Sequence, residues 1–108
     1  MTDHQNTEHF NIAVEITLRS DLANGRRSAN GNNRAGYRSQ FYYDGNDWDA
    51  VFIFPTDDWV MPGQTTTANV WFLSPSKHID RLHPGKEFFI REGAHVVADG
   101  RVISIIDL

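Results

Sequence analysis

Residues 86–102, Lys-Glu-Phe-Phe-Ile-Arg-Glu-Gly-Ala-His-Val-Val-Ala-Asp-Gly-Arg-Val, constrain the fold more than any other part of the chain. Aromatic and β-branched residues at Phe88 to Ile90, a Glu92-Gly93 corner, and the pairs Val96-Val97 and Val102-Ile103 predict two strands joined by a tight turn. Asp99-Gly100 allows a second bend. The reading is a hairpin that closes a small all-β domain.

Upstream, residues 10–19 alternate. Ile12, Val14, Ile16 and Leu18 point one way, and Ala13, Glu15, Thr17 and Arg19 the other, the period of a strand with one face in a core. Residues 20–35 shift to Asn, Gly, Ser and Arg and predict a long loop. A second strand is expected over residues 36–43, and Asp44-Gly45 turns the chain into a third over residues 48–54. Residues 55–58 interrupt, Met61-Pro62-Gly63 makes another turn, and a fourth strand runs over residues 66–73. Residues 74–85 read as a surface loop with room for a single helical turn. Six short strands without a helical period predict an all-β, six-stranded antiparallel barrel, closed or nearly so. Residues 1–9 are expected to be a frayed tail and residues 10–108 one domain.

A chain of 108 residues has room for one core. Its formal net charge of -4 argues against a general nucleic-acid coat, which needs excess Lys and Arg. With no cysteine there is neither a thiolate nucleophile nor a Cys-based zinc site. The polar first ten residues carry no signal or anchor pattern, so the cytoplasm is the expected location, without a membrane partner.

Motifs for chemistry are mostly missing. No Gly-x-x-x-x-Gly-Lys-Ser/Thr segment is present, so neither GTP nor another cofactor is expected. Gly36-Tyr37-Arg38-Ser39-Gln40 lacks the closing glycine of a nucleophile elbow. His78 and His83 miss the spacing of helical zinc ligands and read as loop histidines in solvent. Asp44, Asp47 and Asp49 fit turn-forming acids better than a calcium loop. A hydrolase or lyase with carboxylates in a barrel mouth is the weaker alternative to a non-catalytic role. Arg19, Arg26, Arg27, Arg34 and Arg38 precede an acidic stretch, Asp44, Asp47, Asp49, Asp57 and Asp58. That asymmetry either steers an anionic partner or is a solvated loop. The aromatic residues sit in or beside strands, and most are expected in the core.

Several motifs resemble the third domain of elongation factor Tu, the C-terminal β-barrel of that translational GTPase. Phe-x-Ile-Arg-Glu-Gly-x-x-x-Val-x-x-Gly-x-Val spans residues 88–102, and Gly36-Tyr37-Arg38-Ser39-Gln40-Phe41-Tyr42 is similar to the family's Gly-Tyr-Arg-Pro-Gln-Phe-Tyr. Val60-Met61-Pro62-Gly63 equals its turn, Pro75 falls at the matching distance beyond, and Gly25-Arg26-Arg27-Ser28 is similar to its Gly-Arg-His-Thr. The resemblance implies a Greek-key barrel serving as a binding module without the GTPase. It also implies a translation-related protein or a tRNA-like RNA as partner, and no DNA. Arg26, Arg27, Arg38, Gln40, Glu92 and Gly93 are the implied RNA- or partner-binding positions, reading A-form shape through phosphates and 2′-hydroxyls. Homodimerisation, through an exposed edge or through the face normally covered by a neighbouring barrel, is a further reading.

The chain also departs from the pattern. Ser39 replaces a proline, Ala94 and Ala98 replace glycines, His95 replaces an arginine, Ser74 stands where Lys or His is common, and Asp49 stands for a Thr. Ala29-Asn30-Gly31-Asn32 replaces the family's Pro-Phe-Phe. An added carboxylate and a missing cation weaken phosphate binding, so ordinary tRNA carriage is expected to be reduced or lost.

Overall fold

Strict alternation builds the first strand, β1 (Ile12–Leu18). Ile12, Val14, Ile16 and Leu18 are at most 1% exposed, and the residues between them face outward. The chain is described by a computed structural model covering residues 10–20, 29–30, 36–54 and 59–108. The expected tail over residues 1–9 lies outside the described residues. Among those described are a two-residue β2 (Ala29–Asn30), β3 (Tyr37–Tyr43), β4 (Asn46–Ile53), a two-residue β5 (Trp59–Val60), β6 (Thr65–Phe72), β7 (Glu87–Glu92) and β8 (His95–Ile105).

Six of these strands form a closed antiparallel barrel in the order β1-β6-β4-β3-β7-β8, with β8 returning to β1. Strands β3, β4 and β6 are consecutive neighbours and β1 lies beside β6, which is the Greek-key arrangement. Asp44 and Gly45, at φ 50 and 83, turn β3 into β4 in the left-handed region that two-residue hairpin loops require. The Met61 to Gly63 turn is pinned from both sides: Gln64 N donates to Met61 O at 3.0 Å, and Gly63 N donates to Leu18 O at 2.8 Å. A closed hoop has no free edge, so the edge version of the homodimer reading finds none on these six strands.

Phe41 is at the middle of the core. It stacks on Phe88 at 3.9 Å between ring centroids and meets Phe72 edge-on at 4.9 Å. Gly100 makes that stack fit, because a Cβ there would lie 2.2 Å from Phe88 Cζ. The bend expected at Asp99-Gly100 is therefore absent: β8 runs unbroken from His95 to Ile105, and the glycine serves the ring opposite it. The irregularities of β8 fall elsewhere: it carries one extra residue at Val97, opposite the Ile90–Arg91 step of β7, and one at Ile103, opposite the Ala13–Val14 step of β1.

Two other expectations need correction. The residue 20–35 loop contains β2, which pairs with β5 through Ala29 opposite Val60. The 74–85 connection contains a short 3-10 turn, Pro75–His78, and is not wholly at the surface: His78 is 0% exposed. At the start of β1, Asn11 clasps the end of the chain. Its Nδ2 donates to Asp107 O at 2.9 Å, its Oδ1 accepts from Phe72 N at 2.7 Å, and its carbonyl accepts from Ile106 N at 2.9 Å.

Candidate docking face

Strand β3 presents Arg38, Gln40 and Tyr42 outward because Tyr37, Ser39, Phe41 and Tyr43 fill the inward positions. Antiparallel register sets a neighbour beside each. Arg38 lies opposite Val51 of β4, which lies opposite Trp71 of β6, so these three form one outward row across the sheet. The next row holds Gln40, Asp49 and then Leu73, whose amide donates to Asp49 O at 3.2 Å. Trp71 is 46% exposed and Leu73 43%. The exposed apolar residues of this face are therefore Trp71 and Leu73, with Arg38, Gln40 and Asp49 along their rim; Val51, between Arg38 and Trp71, is only 7% exposed, with Gly36 against it.

The described candidates gather around this end of β3. Arg38 is exposed, with no carboxylate in ion-pair range among the described residues. Gln40 Nε2 donates to Asp49 Oδ1 at 2.7 Å. Glu92 accepts a hydrogen bond from the Tyr37 hydroxyl, which draws the tip of the β7–β8 hairpin toward the beginning of β3. Gly93 sits in that tip at φ 61. Arg26 and Arg27 lie outside the described residues.

Most other described cations are already balanced. Lys86 Nζ lies 2.9 Å from Asp44, Arg19 2.9 Å from Asp99, and Arg101 3.1 Å from Glu15. Arg91 Nε is 3.5 Å from Asp47, and its guanidinium lies 4.6 Å above the Tyr42 ring. The three aspartates that could suggest a calcium loop thus go to three separate partners, Lys86, Arg91 and Gln40. A shallow groove of about 140 Å³ on the outer wall is lined by Glu15, Thr17, Glu87, Asp99, Gly100 and Arg101. Two of its carboxylates are held by the arginines just named.

One end of the barrel is filled by the aromatic cluster around His78. The imidazole stacks on Phe72 at 3.9 Å, meets Trp48 edge-on at 4.9 Å, and shares a 2.8 Å hydrogen bond between Nδ1 and the Tyr43 hydroxyl. Burial and then the Arg81 guanidinium lower its pKa from 6.5 to about 4, so the ring is neutral at pH 7. Burial likewise raises the Tyr43 phenol, against the pull of Arg81. The expectation of a solvent histidine therefore fails at His78, whereas His83 is exposed.

Trp71 and Leu73 are the functional candidates that sequence reasoning missed, since the aromatic residues were expected mainly in the core. The parity of β6 carries the missing signal: Ala68, Val70 and Phe72 take the inward positions and leave Trp71 outside. Among the described residues no helix is long and apolar enough to cross a membrane. Fold and surface together define a class, a closed all-β Greek-key barrel that exposes Trp71 and Leu73 beside an arginine, and separately Ile103, Ile105 and Ile106 at the end of β8. No family model matches the chain.

Proposed function

We propose that this barrel is a non-catalytic binding module of the elongation factor Tu third-domain type, acting in the cytoplasm, which docks a translation-related protein through the outer face of β3, β4 and β6. The observation that carries the reading is the shared row of Arg38, Val51 and Trp71. Arg38 and Gln40 belong to the β3 motif behind the family resemblance, and both lie on the face that leaves Trp71 and Leu73 exposed. An aromatic anchor with an arginine at its rim is the composition of a protein-binding hot spot.

A protein partner fits better than RNA on this face. Gripping phosphates requires several cations free to replace counterions, and among the described residues strands β3, β4 and β6 offer Arg38 alone, with the Asp49 carboxylate in the next row. The test is capture of translation components from cell extract, with and without nuclease, together with affinity measurement across a range of salt. Nuclease-resistant retention with a shallow salt dependence is expected. Retention lost to nuclease, with affinity falling about 0.7 to 0.9 log units per log unit of salt for each phosphate contacted, would replace this reading with the RNA one. Recovery of neither translation proteins nor RNA would remove it.

A further inference from the structure

The His78 cluster lies outside the docking face and is independent of it. An imidazole that is fully buried needs its charge state fixed by its neighbours. From β3 come the Tyr43 hydroxyl, hydrogen-bonded to Nδ1, and Asp44 one residue on. Strands β4 and β6 contribute Trp48 and Phe72, neither of which titrates. The connection itself brings Lys77, Asp80, Arg81 and Lys86. Arg81 lies 5.3 Å above the Tyr43 ring and 5.9 Å above that of Trp48. Asp44 is taken by Lys86. Among the described residues no carboxylate hydrogen-bonds His78, and its buried Nε2 has no hydrogen-bond partner. A proton on this ring would meet neither a counter-ion nor water, with a guanidinium close by.

The segment that carries His78 is held to the barrel by very little else. Within residues 74–84 the backbone hydrogen bonds are local, Lys77 N to Ser74 O and Arg81 N to His78 O. Among the described residues, backbone bonds to the strands begin only at its two ends, with Leu73 N to Asp49 O and Gly85 N to Val102 O. Between those ends, His78 and Leu82 are the buried anchors. The six strand pairings that close the hoop do not include this segment.

We infer that the β6–β7 connection is an acid-released plug: protonation of His78 expels residues 75–82 from the end of the barrel while the six-stranded hoop stays closed, uncovering Tyr43, Trp48 and Phe72. The proton binds the imidazole far more readily in the opened form, where water solvates the charge, than in the closed one. Opening should therefore rise roughly ten-fold for each pH unit between 6.5, the ordinary imidazole value, and about 4, where the buried ring titrates. The Arg81 guanidinium adds repulsion to the protonated ring.

Amide hydrogen exchange between pH 7 and pH 4, corrected for intrinsic rates, tests this on the intact chain. Protection over residues 75–82 is expected to fall roughly ten-fold per pH unit below 6.5 while the amides of β3, β4 and β6 stay protected. In the double variant His78→Phe with Tyr43→Phe, which keeps the ring stack and removes both polar partners, that decline should vanish. Unchanged protection down to pH 4 would overturn the inference, as would simultaneous loss in plug and strands. Survival of the same pH dependence in the double variant would also overturn it. Should the variant fail to fold, the contrast between plug and strands in the unaltered protein still decides the matter.

Discussion

The Tyr37 hydroxyl donates a hydrogen bond to the Glu92 carboxylate, fastening the first residue of β3 to the last residue of β7. Ladder pairing between these strands covers only Gln40 to Tyr42, so the corner beyond it depends on side chains. Ser39 Oγ adds a second fastening, donating to Arg91 O at 2.7 Å. Ser39 thus has a structural use here.

A charge-assisted bond of this kind contributes about 1.5 to 3 kcal/mol. Tyr37→Phe keeps the ring contacts with Phe52 and Phe54, at 6.1 and 6.2 Å, and removes only the hydroxyl. Its urea midpoint should drop by a corresponding amount with the slope unchanged. An unchanged midpoint would mean that this bond does not brace the hairpin.

Gly100 and Phe88 make a second test. A methyl at Gly100 would collide with the Phe88 ring, so Gly100→Ala should destabilise the barrel by about 1 to 3 kcal/mol. Shortening the ring by Phe88→Leu makes space for that methyl. In thermal or urea unfolding, the double variant should therefore lose less than the sum of the two single changes. Additive losses would show that the glycine is needed for some reason other than the ring.

Those two contacts also show what a sequence can and cannot reveal. Alternation in β1 is directly readable because Ile12, Val14, Ile16 and Leu18 all face one core and nothing interrupts the period. The Asp44-Gly45 turn is equally legible, since few residues accept the positive φ that it needs. Gly100 misleads because a glycine in a strand and a glycine in a turn look alike until the residue across the ladder is known, and Phe88 is twelve residues away. His78 misleads for a related reason: a histidine among Ser, Lys and Asp has loop composition, and its burial comes from Phe72, Trp48 and Tyr43 on three different strands. Within the candidate site, Arg38 and Gln40 come from a motif, whereas Trp71 joins them only through strand register.

Stability should depend on pH through His78. Its folded pKa, about 4, lies below the unfolded 6.5, so the unfolded chain binds the proton more readily. The contribution is complete above pH 6.5 and is lost as pH falls toward 4, amounting to at most about 3 kcal/mol. Urea unfolding at a series of pH values checks this against the His78→Phe, Tyr43→Phe double variant, whose curve should be flatter over the same interval. Parallel curves would place the acid sensitivity in other groups.

Docking through β3, β4 and β6 is tested most directly by the affinity of the retained translation protein for the Trp71→Ala barrel, with the melting temperature measured on the same sample. Trp71 is about half exposed, so its removal should leave the fold nearly as stable as before. If it is the anchor of the interface, affinity should fall by roughly thirty-fold or more, the scale of a hot-spot residue. An unchanged affinity with the barrel intact would contradict the account.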